Sequence, residues 1–449
     1  MNNGKGSYGM GKKRQNMGRR LLILAGWVMI WQIVSRLCHN SILMVGPVET
    51  GMAFLQNMLE ESFWRTLGTS YVRILAGLLV GIICGMGLAA ISYRYKLLEE
   101  IWQPFMTLIK AIPVASFTVL LLIWWGAPYL SVSICFLVVL PHIYVNTLEG
   151  LKSTDRKLLE MAEVFRMPWR NRLFYIYRPA LRPFLESGLK IAIGMAWKSG
   201  VAAEVIGTPD HSIGERLYLS KIYLDTADVL AWTATAIMLS VVTEKLILWT
   251  MGKVWEWEPG CRKPALGKKE GGKQSVSLKA DRIYKSYQEL TVLNGYSEVF
   301  EMNKMYYFQT PSGSGKTTLF RILAGLEQPD NGSVIGEYRV AMMFQEDRLC
   351  EDYSAVKNVE LVTGDKESAG QALGRLLPGD ALNKPVRQLS GGMRRRVALV
   401  RAMEAEGKVC LLDEPFTGLD EENRQKAAAY IAEKGKGRAV LIATHENVM

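Results

Sequence analysis

The chain has 449 residues and is 49% hydrophobic, with a formal net charge of +11 and a mean hydropathy of +0.07, high for a soluble protein. That length has room for two or three domains, each able to bury its own core. The basic excess sits beside apolar runs, which excludes nucleic acid as the partner, and the six cysteines are scattered with no C-x-x-C pair, which excludes a thiolate metal site and a disulfide framework.

Residues 1–20 form a basic tail with Lys12, Lys13, Arg14, Arg19 and Arg20 ahead of the first apolar run. Residues 21–255 hold six candidate membrane spans: Leu21–Cys38, Val72–Ile91, Met106–Trp125, Leu130–Leu148, Leu189–Ile206 and Val229–Thr250. Each approaches the roughly 20 apolar residues that a bilayer-crossing helix needs. The first run could instead be a signal peptide, but no small-residue cleavage site follows it, so it reads as an uncleaved span. Charge sets the orientation. The loop Thr147–Pro183 carries Lys152, Arg156, Lys157, Arg166, Arg170, Arg172, Arg178 and Arg182, whereas the segment between Cys38 and Val72 carries Glu49, Glu60 and Glu61. The expectation is a multi-pass protein of the cytoplasmic membrane, in contact with lipid, with both ends in the cytoplasm. Lys110, Lys198 and Glu204 fall inside spans and are functional candidates because such charges are costly there. A structural pairing or a snorkelling lysine stem is the competing reading. His142 and His211 have no partner cluster and read as structural.

The cytoplasmic loop, residues 149–183, contains the amphipathic stretch L-L-E-M-A-E-V-F (Leu158–Phe165), then Met167-Pro168-Trp169 and Arg178-Pro179-Ala180. Taken alone it is a helical element on the inner membrane face. Residues 256–279 are dominated by Pro, Gly and Lys and read as a flexible linker.

Residues 280–449 change character, becoming charged and globular. T-P-S-G-S-G-K-T-T (Thr310–Thr318) follows a strand-like run (Met305–Gln309) and precedes a helical one (Leu319–Leu326). Strand, glycine-rich loop and helix together make a phosphate-binding loop. Ser312, Gly313, Ser314, Gly315, Lys316, Thr317 and Thr318 are its cradle, with backbone N–H groups facing the phosphates of ATP. Lys316 is expected at the β/γ-phosphates and Thr317 on Mg²⁺. V-C-L-L-D-E-P (Val409–Pro415) is an apolar strand ending in two acids. It presents Asp413 to Mg²⁺ and Glu414 to the attacking water.

L-S-G-G-M (Leu389–Met393), Gln345 after Val340–Phe344, Asp420 in T-G-L-D and His445 after Ala439–Ala443 follow in fixed order. With the phosphate loop, they identify residues 280–449 as resembling an ABC ATPase. The resemblance implies that Ser390, Gly391 and Gly392 complete the ATP site of a second copy of the chain. It further implies that Gln345 senses the γ-phosphate at the Mg²⁺ and touches the permease, that His445 is a switch histidine, and that Tyr287 stacks on adenine. Residues 20–255 resemble the binding-protein-dependent permeases of the nitrate, sulfonate, taurine and thiamine-precursor importer group. That likeness is carried by Ser70–Leu79, Ala111-Ile112-Pro113 and Ala196–Gly207. Glu160, Ala162 and Pro179 match the loop that couples such permeases to their ATPase, with Arg166 at the position of the loop's usual glycine.

The fold class expected is multi-domain: an all-α transmembrane bundle of the type I importer kind, followed by an α/β P-loop ATPase. The function expected is ATP-driven import of a small-molecule substrate by a homodimer fed by an external solute-binding protein. An ATP-binding membrane regulator with little turnover is the alternative, and an exporter a lesser one. Three departures from the pattern stand out, of which the first and third motivate the alternative. Thr310 replaces the glycine that normally opens the loop, the stretch from Gln345 to Leu389 is short, and the sequence stops four residues after His445. Retention of Lys316, Thr317, Asp413, Glu414 and His445 favours an active enzyme.

Overall fold

The computed structural model describes residues 5–38, 40, 42, 44–263, 277–288, 290–309, 313–336 and 339–445; the side chains of 5–17, 20, 21 and 24 are not among them. Thr310 and Ser312 therefore lie outside the described residues. The chain forms two compact units, one from Met1–Lys152 and Pro183–Glu256, the other from Ser153–Arg182 and Trp257–Met449.

The first unit is helical: α1 (Lys5–Cys38), α2 (Pro47–Leu59), α3 (Glu61–Arg94), α4 (Lys96–Ala111), α5 (Val114–Trp125) and α6 (Leu130–Lys152). The chain then crosses the second unit through α7 (Arg156–Val164) and α8 (Trp169–Arg172). It returns along α9 (Arg178–Gly207), α10 (Ile213–Ile222) and α11 (Thr226–Glu256). Among the described residues, three segments are long and apolar enough to cross a membrane: Glu61–Arg94, Ala127–Lys152 and Thr226–Glu256. The expected third span, Met106–Trp125, is not one straight helix. α4 and α5 meet at a 100° bend. Pro113 has no N–H to continue the ladder, and it drives Ile112 to an extended ψ of 130°. The fifth expected span lies within α9, which carries Lys190, Lys198 and Glu204 and falls short on apolarity.

α3 and α6 pack closely because three glycines line one face of α3. A Cβ on Gly77 would lie 2.4 Å from the Val132 carbonyl oxygen, on Gly81 2.8 Å from Val139, and on Gly85 3.0 Å from Ile143. Spaced four apart, they let two backbones approach as in small-x-x-x-small membrane pairs. Glu204 is fully buried, and its Oε2 accepts from the Ser70 hydroxyl at 2.7 Å and the Gly214 N–H at 3.3 Å. It thereby staples α3, α9 and α10, a structural use of a buried carboxyl. Lys110 and Lys198 are exposed.

The second unit holds two sheets. β1 (Ser277–Tyr287) pairs antiparallel with both β2 (Leu290–Glu301) and β4 (Asn331–Ile335). β3 (Met305–Phe308), β5 (Val340–Met343), β6 (Val409–Asp413) and β7 (Ala439–Ala443) form a parallel sheet in the order β3-β7-β6-β5. Every residue of β6 and β7 is buried, as expected for unbroken apolar strands covered on both faces. Around the sheets lie α12 (Lys316–Leu323), α13 (Ala355–Thr363), α14 (Lys366–Gly374), α15 (Gly391–Glu404) and α16 (Glu421–Lys434).

Residues 153–182, placed by sequence within the permease segment, bury Met161, Ala162, Phe165, Met167, Tyr175 and Ile176 in this unit's core. The start of the expected flexible linker is also fixed to it. The Trp257 carbonyl accepts from Arg178 at 2.8 Å, the Pro259 carbonyl from the Tyr175 hydroxyl, and the Arg262 carbonyl from Asn171 Nδ2 at 3.0 Å. Residues 257–263 thus form a strap, its carbonyls satisfied by buried donors that linker composition could not announce. Residues 264–276 lie outside the described residues.

Candidate nucleotide site

In a parallel sheet, loops at the carboxyl ends of the strands gather on one edge. That edge receives the phosphate loop after β3, Gln345 after β5, Asp413 and Glu414 at the end of β6, and His445 after β7. Gly313 and Gly315 have φ of 86° and 87°, and a Cβ on Gly315 would lie 2.9 Å from the Val292 carbonyl oxygen. Only glycine combines that backbone hand with that approach. Gly315 then caps α12, whose first residues are Lys316, Thr317 and Thr318.

The side chains converge. The Thr317 hydroxyl donates to Asp413 Oδ2 at 3.0 Å, Lys316 Nζ lies 3.4 Å from His445 Nδ1, and His445 Nε2 lies 2.8 Å from Glu414 Oε1. The Thr417 hydroxyl donates to the other Glu414 oxygen at 2.8 Å. Glu414 itself holds φ at 55°, a left-handed conformation costly for a non-glycine residue and often concentrated at functional sites. Burial pushes the Asp413 carboxyl above its usual range, opposed by the Thr317 hydroxyl. A cation there would lower it again.

The remaining expected residues stand around this group. Ser390 caps α15 by accepting from the Met393 N–H at 3.3 Å, and Ser390 and Gly391 are exposed. A Cβ on Gly392 would sit 3.1 Å from the Gly418 carbonyl. Asp420 caps α16. Gln345 and Tyr287 are exposed, and the Tyr287 hydroxyl donates to Glu327. Ser314 lies in the glycine-rich turn.

On α7, Glu160 is held by two arginines, Arg321 Nη1 at 3.0 Å and Arg348 Nη1 at 2.8 Å. Burial alone would raise its pKa, but these hydrogen bonds hold it below the usual carboxylate range. Ala162 is fully buried in this unit's core. Pro179 lines a cavity of about 490 Å³ together with Asp155, Lys157, Tyr175 and Glu351. Arg166, at the glycine position of the loop, has φ of 48°.

One residue escaped the sequence reading. Arg395 on α15 is 6% exposed and donates to the carbonyls of Phe344 (2.9 Å), Gln345 (2.8 Å) and Glu414 (2.7 Å). It therefore fixes the ends of β5 and β6 to the helix that follows L-S-G-G-M. Its only sequence signal is a run of three arginines, in which nothing marks the buried one.

Residues 293–417 match the family described as ABC transporter, and residues 77–247 match the family described as binding-protein-dependent transport system inner membrane component. An aliphatic sulfonates import ATP-binding protein of Rhodococcus jostii (strain RHA1) is 41% identical over 185 residues, 38% of this chain and 74% of that protein. A protein of Bacillus subtilis (strain 168) named for aliphatic sulfonates transport, as a permease, is 25% identical over 251 residues, 55% of this chain and 90% of that protein. A thiamine import ATP-binding protein of Chelativorans sp. (strain BNC1) is 37% identical over 158 residues, 30% of this chain and 64% of that protein. Two parts that in these relatives are separate proteins, the permease and the ATP-binding protein, here follow one another in one polypeptide, and the chain belongs to the ABC transporter family as a membrane permease joined to the ATPase that drives it.

Proposed function

We propose that two copies of the chain assemble into an importer of a small organic anion of the sulfonate class, supplied by an external solute-binding protein. The observation that carries the reading is the Lys316, Thr317, Asp413, Glu414 and His445 group, set in the same chain as a binding-protein-dependent permease segment. The first relatives are named for sulfonates, which supports the substrate class.

Lys316 and the N–H groups of the Gly313–Gly315 turn hold the phosphates of ATP. Among the described residues no cluster of three or more His, Cys, Asp or Glu could hold a metal alone. Thr317 and Asp413 offer two oxygen donors, which fits Mg²⁺ shared with substrate phosphates rather than a protein cage. Mg²⁺, when bound, would neutralise charge on the phosphates. Glu414 orients and polarises the attacking water, and His445, already at its carboxylate, steadies the γ-phosphate. Exposed Ser390 and Gly391 at the head of α15 complete the site of the second copy, which makes the dimer head to tail. Gln345 reports phosphate occupancy, while Glu160, Ala162 and Pro179 transmit closure to the spans.

The test is ATP hydrolysis by the full chain in proteoliposomes. Glu414→Gln is expected to lower kcat by about 10²- to 10⁴-fold. A sulfonate-loaded binding protein is expected to stimulate the wild type. Equal rates for wild type and Glu414→Gln would sink the assignment of the base, and stimulation only by another ligand would sink the substrate class.

A further inference from the structure

We propose that Glu327 is a positioning residue that ties Tyr287 to Glu160 through Arg321, so that the nucleotide base and the cytoplasmic loop are linked by side-chain contacts. The proposal rests on the reading of Tyr287 as the adenine platform.

Three elements meet at this carboxylate. Tyr287 ends β1, Glu327 follows α12, and Glu160 sits on α7. One Glu327 oxygen accepts from the Tyr287 hydroxyl, and the other from Arg321 Nε at 3.2 Å. The same guanidinium uses Nη1 and Nη2 on the two oxygens of Glu160, at 3.0 and 3.4 Å. Arg321 thus spends opposite edges of one rigid plane on two carboxylates, so neither can move without turning the other. Lys285 Nζ stands 3.6 Å from Glu327 and 2.9 Å from Asp330, closing the cluster on the β1 side. The Tyr287 hydroxyl also lies against Thr318.

The enclosure makes these contacts matter. The side chains of Glu327, Glu160 and Arg321 are 18%, 19% and 26% exposed. Burial alone would raise the Glu327 pKa, but the Tyr287 hydroxyl and Arg321 hold it below the usual carboxylate range. A tyrosine ring has two torsions, and anchoring its hydroxyl fixes the face on which a base would stack. A base settling on that face pulls on Glu327, and Arg321 passes the displacement to α7.

The experiment measures KM for ATP and kcat on the full chain in proteoliposomes. Tyr287→Phe keeps the ring and removes the hydroxyl, and Glu327→Gln removes the charge. Each is expected to raise KM about three- to tenfold, the worth of one net hydrogen bond, with kcat within about twofold. The double variant should match either single one, because the two changes break one link. Glu160→Gln should also change KM, and that change should vanish in a Glu327→Gln background. A purely structural role would lower kcat and leave KM in place. Unchanged KM in both single variants, multiplicative effects in the double, or a Glu160→Gln effect indifferent to Glu327 would each overturn the link. Tyr287→Ala separates the two levels. If it leaves KM unchanged, the adenine platform itself fails; if it raises KM while Glu327→Gln does not, the platform stands and the link falls.

Discussion

Arg166 holds φ at 48°, a backbone hand that glycine adopts without strain, and its backbone N–H donates to the Glu163 carbonyl at 2.9 Å to close the end of α7. A side chain in that left-handed turn costs about 1 kcal/mol that glycine avoids. Arg166→Gly is therefore expected to raise the melting temperature of the purified protein, by a stabilisation of about 1 kcal/mol. An unchanged or lower midpoint would mean the arginine side chain holds something worth as much as the strain. Arg395 makes the opposite case. Arg395→Met leaves the carbonyls of Phe344, Gln345 and Glu414 without their buried donor, at a cost of about 3 kcal/mol or more. ATPase activity should fall with it, and a variant of wild-type stability and turnover would remove Arg395 from its positioning role. The contrast shows what residue-level reading can and cannot reach. Glu414, Lys316 and Thr317 were legible because phosphate chemistry demands them at fixed spacing from glycines and strand ends. Arg395 and Glu327 were not, because their partners lie up to tens of residues away and only folding brings them within 3 Å or so.

At the scale of elements, α3 and α6 depend on the absence of side chains at Gly77, Gly81 and Gly85. The spacing was visible in the sequence, but a period of four small residues acquires meaning only once the facing helix is known. Gly77→Val should force apart the pair whose backbone a Cβ would approach to 2.4 Å, destabilising by about 1–3 kcal/mol. Reduced yield of folded membrane protein, with near-normal behaviour for the same change at Gly87, where a Cβ meets nothing within 4 Å, would check it. The docking of α7 carries a pH signature. Glu160 has a folded pKa below the ordinary carboxylate value of about 4.5. Its contribution is therefore fully present above pH 4.5 and is lost as the pH falls through the depressed folded value. Amide exchange in residues 156–165 should rise on acidification in the wild type more steeply than in Glu160→Gln, which has already lost the charge. Parallel profiles would assign the acid sensitivity to other carboxylates. The strands of the parallel sheet, by comparison, were legible, Val409–Asp413 and Ala439–Ala443 being apolar runs with no competing period, whereas the half-exposed antiparallel strands β1, β2 and β4 were not. The break at Ile112-Pro113 was not, since hydropathy alone runs straight through a proline.

For the whole molecule, composition separated the two halves, but contact does not divide the chain where composition does. Residues 153–182 and the strap 257–263 belong with the ATPase unit although they flank apolar helices. The orientation proposed from charge has a direct check. Cys38, exposed at the end of α1, should react with a membrane-impermeant thiol reagent added to intact cells, whereas a cysteine placed at exposed Glu163 should react only after lysis. Labelling in the reverse order would invert the topology. The strap has one more effect, on concentration. In relatives whose ATPase is a separate protein, docking competes with dilution. Here the contacts of Glu160 and Asn171 form between parts of one chain, where short connections hold partners at effective concentrations on the order of millimolar. Weak docking is enough to keep the enzyme in place. Damage to it should therefore appear as ATP spent without cargo moved, not as a transporter that falls apart.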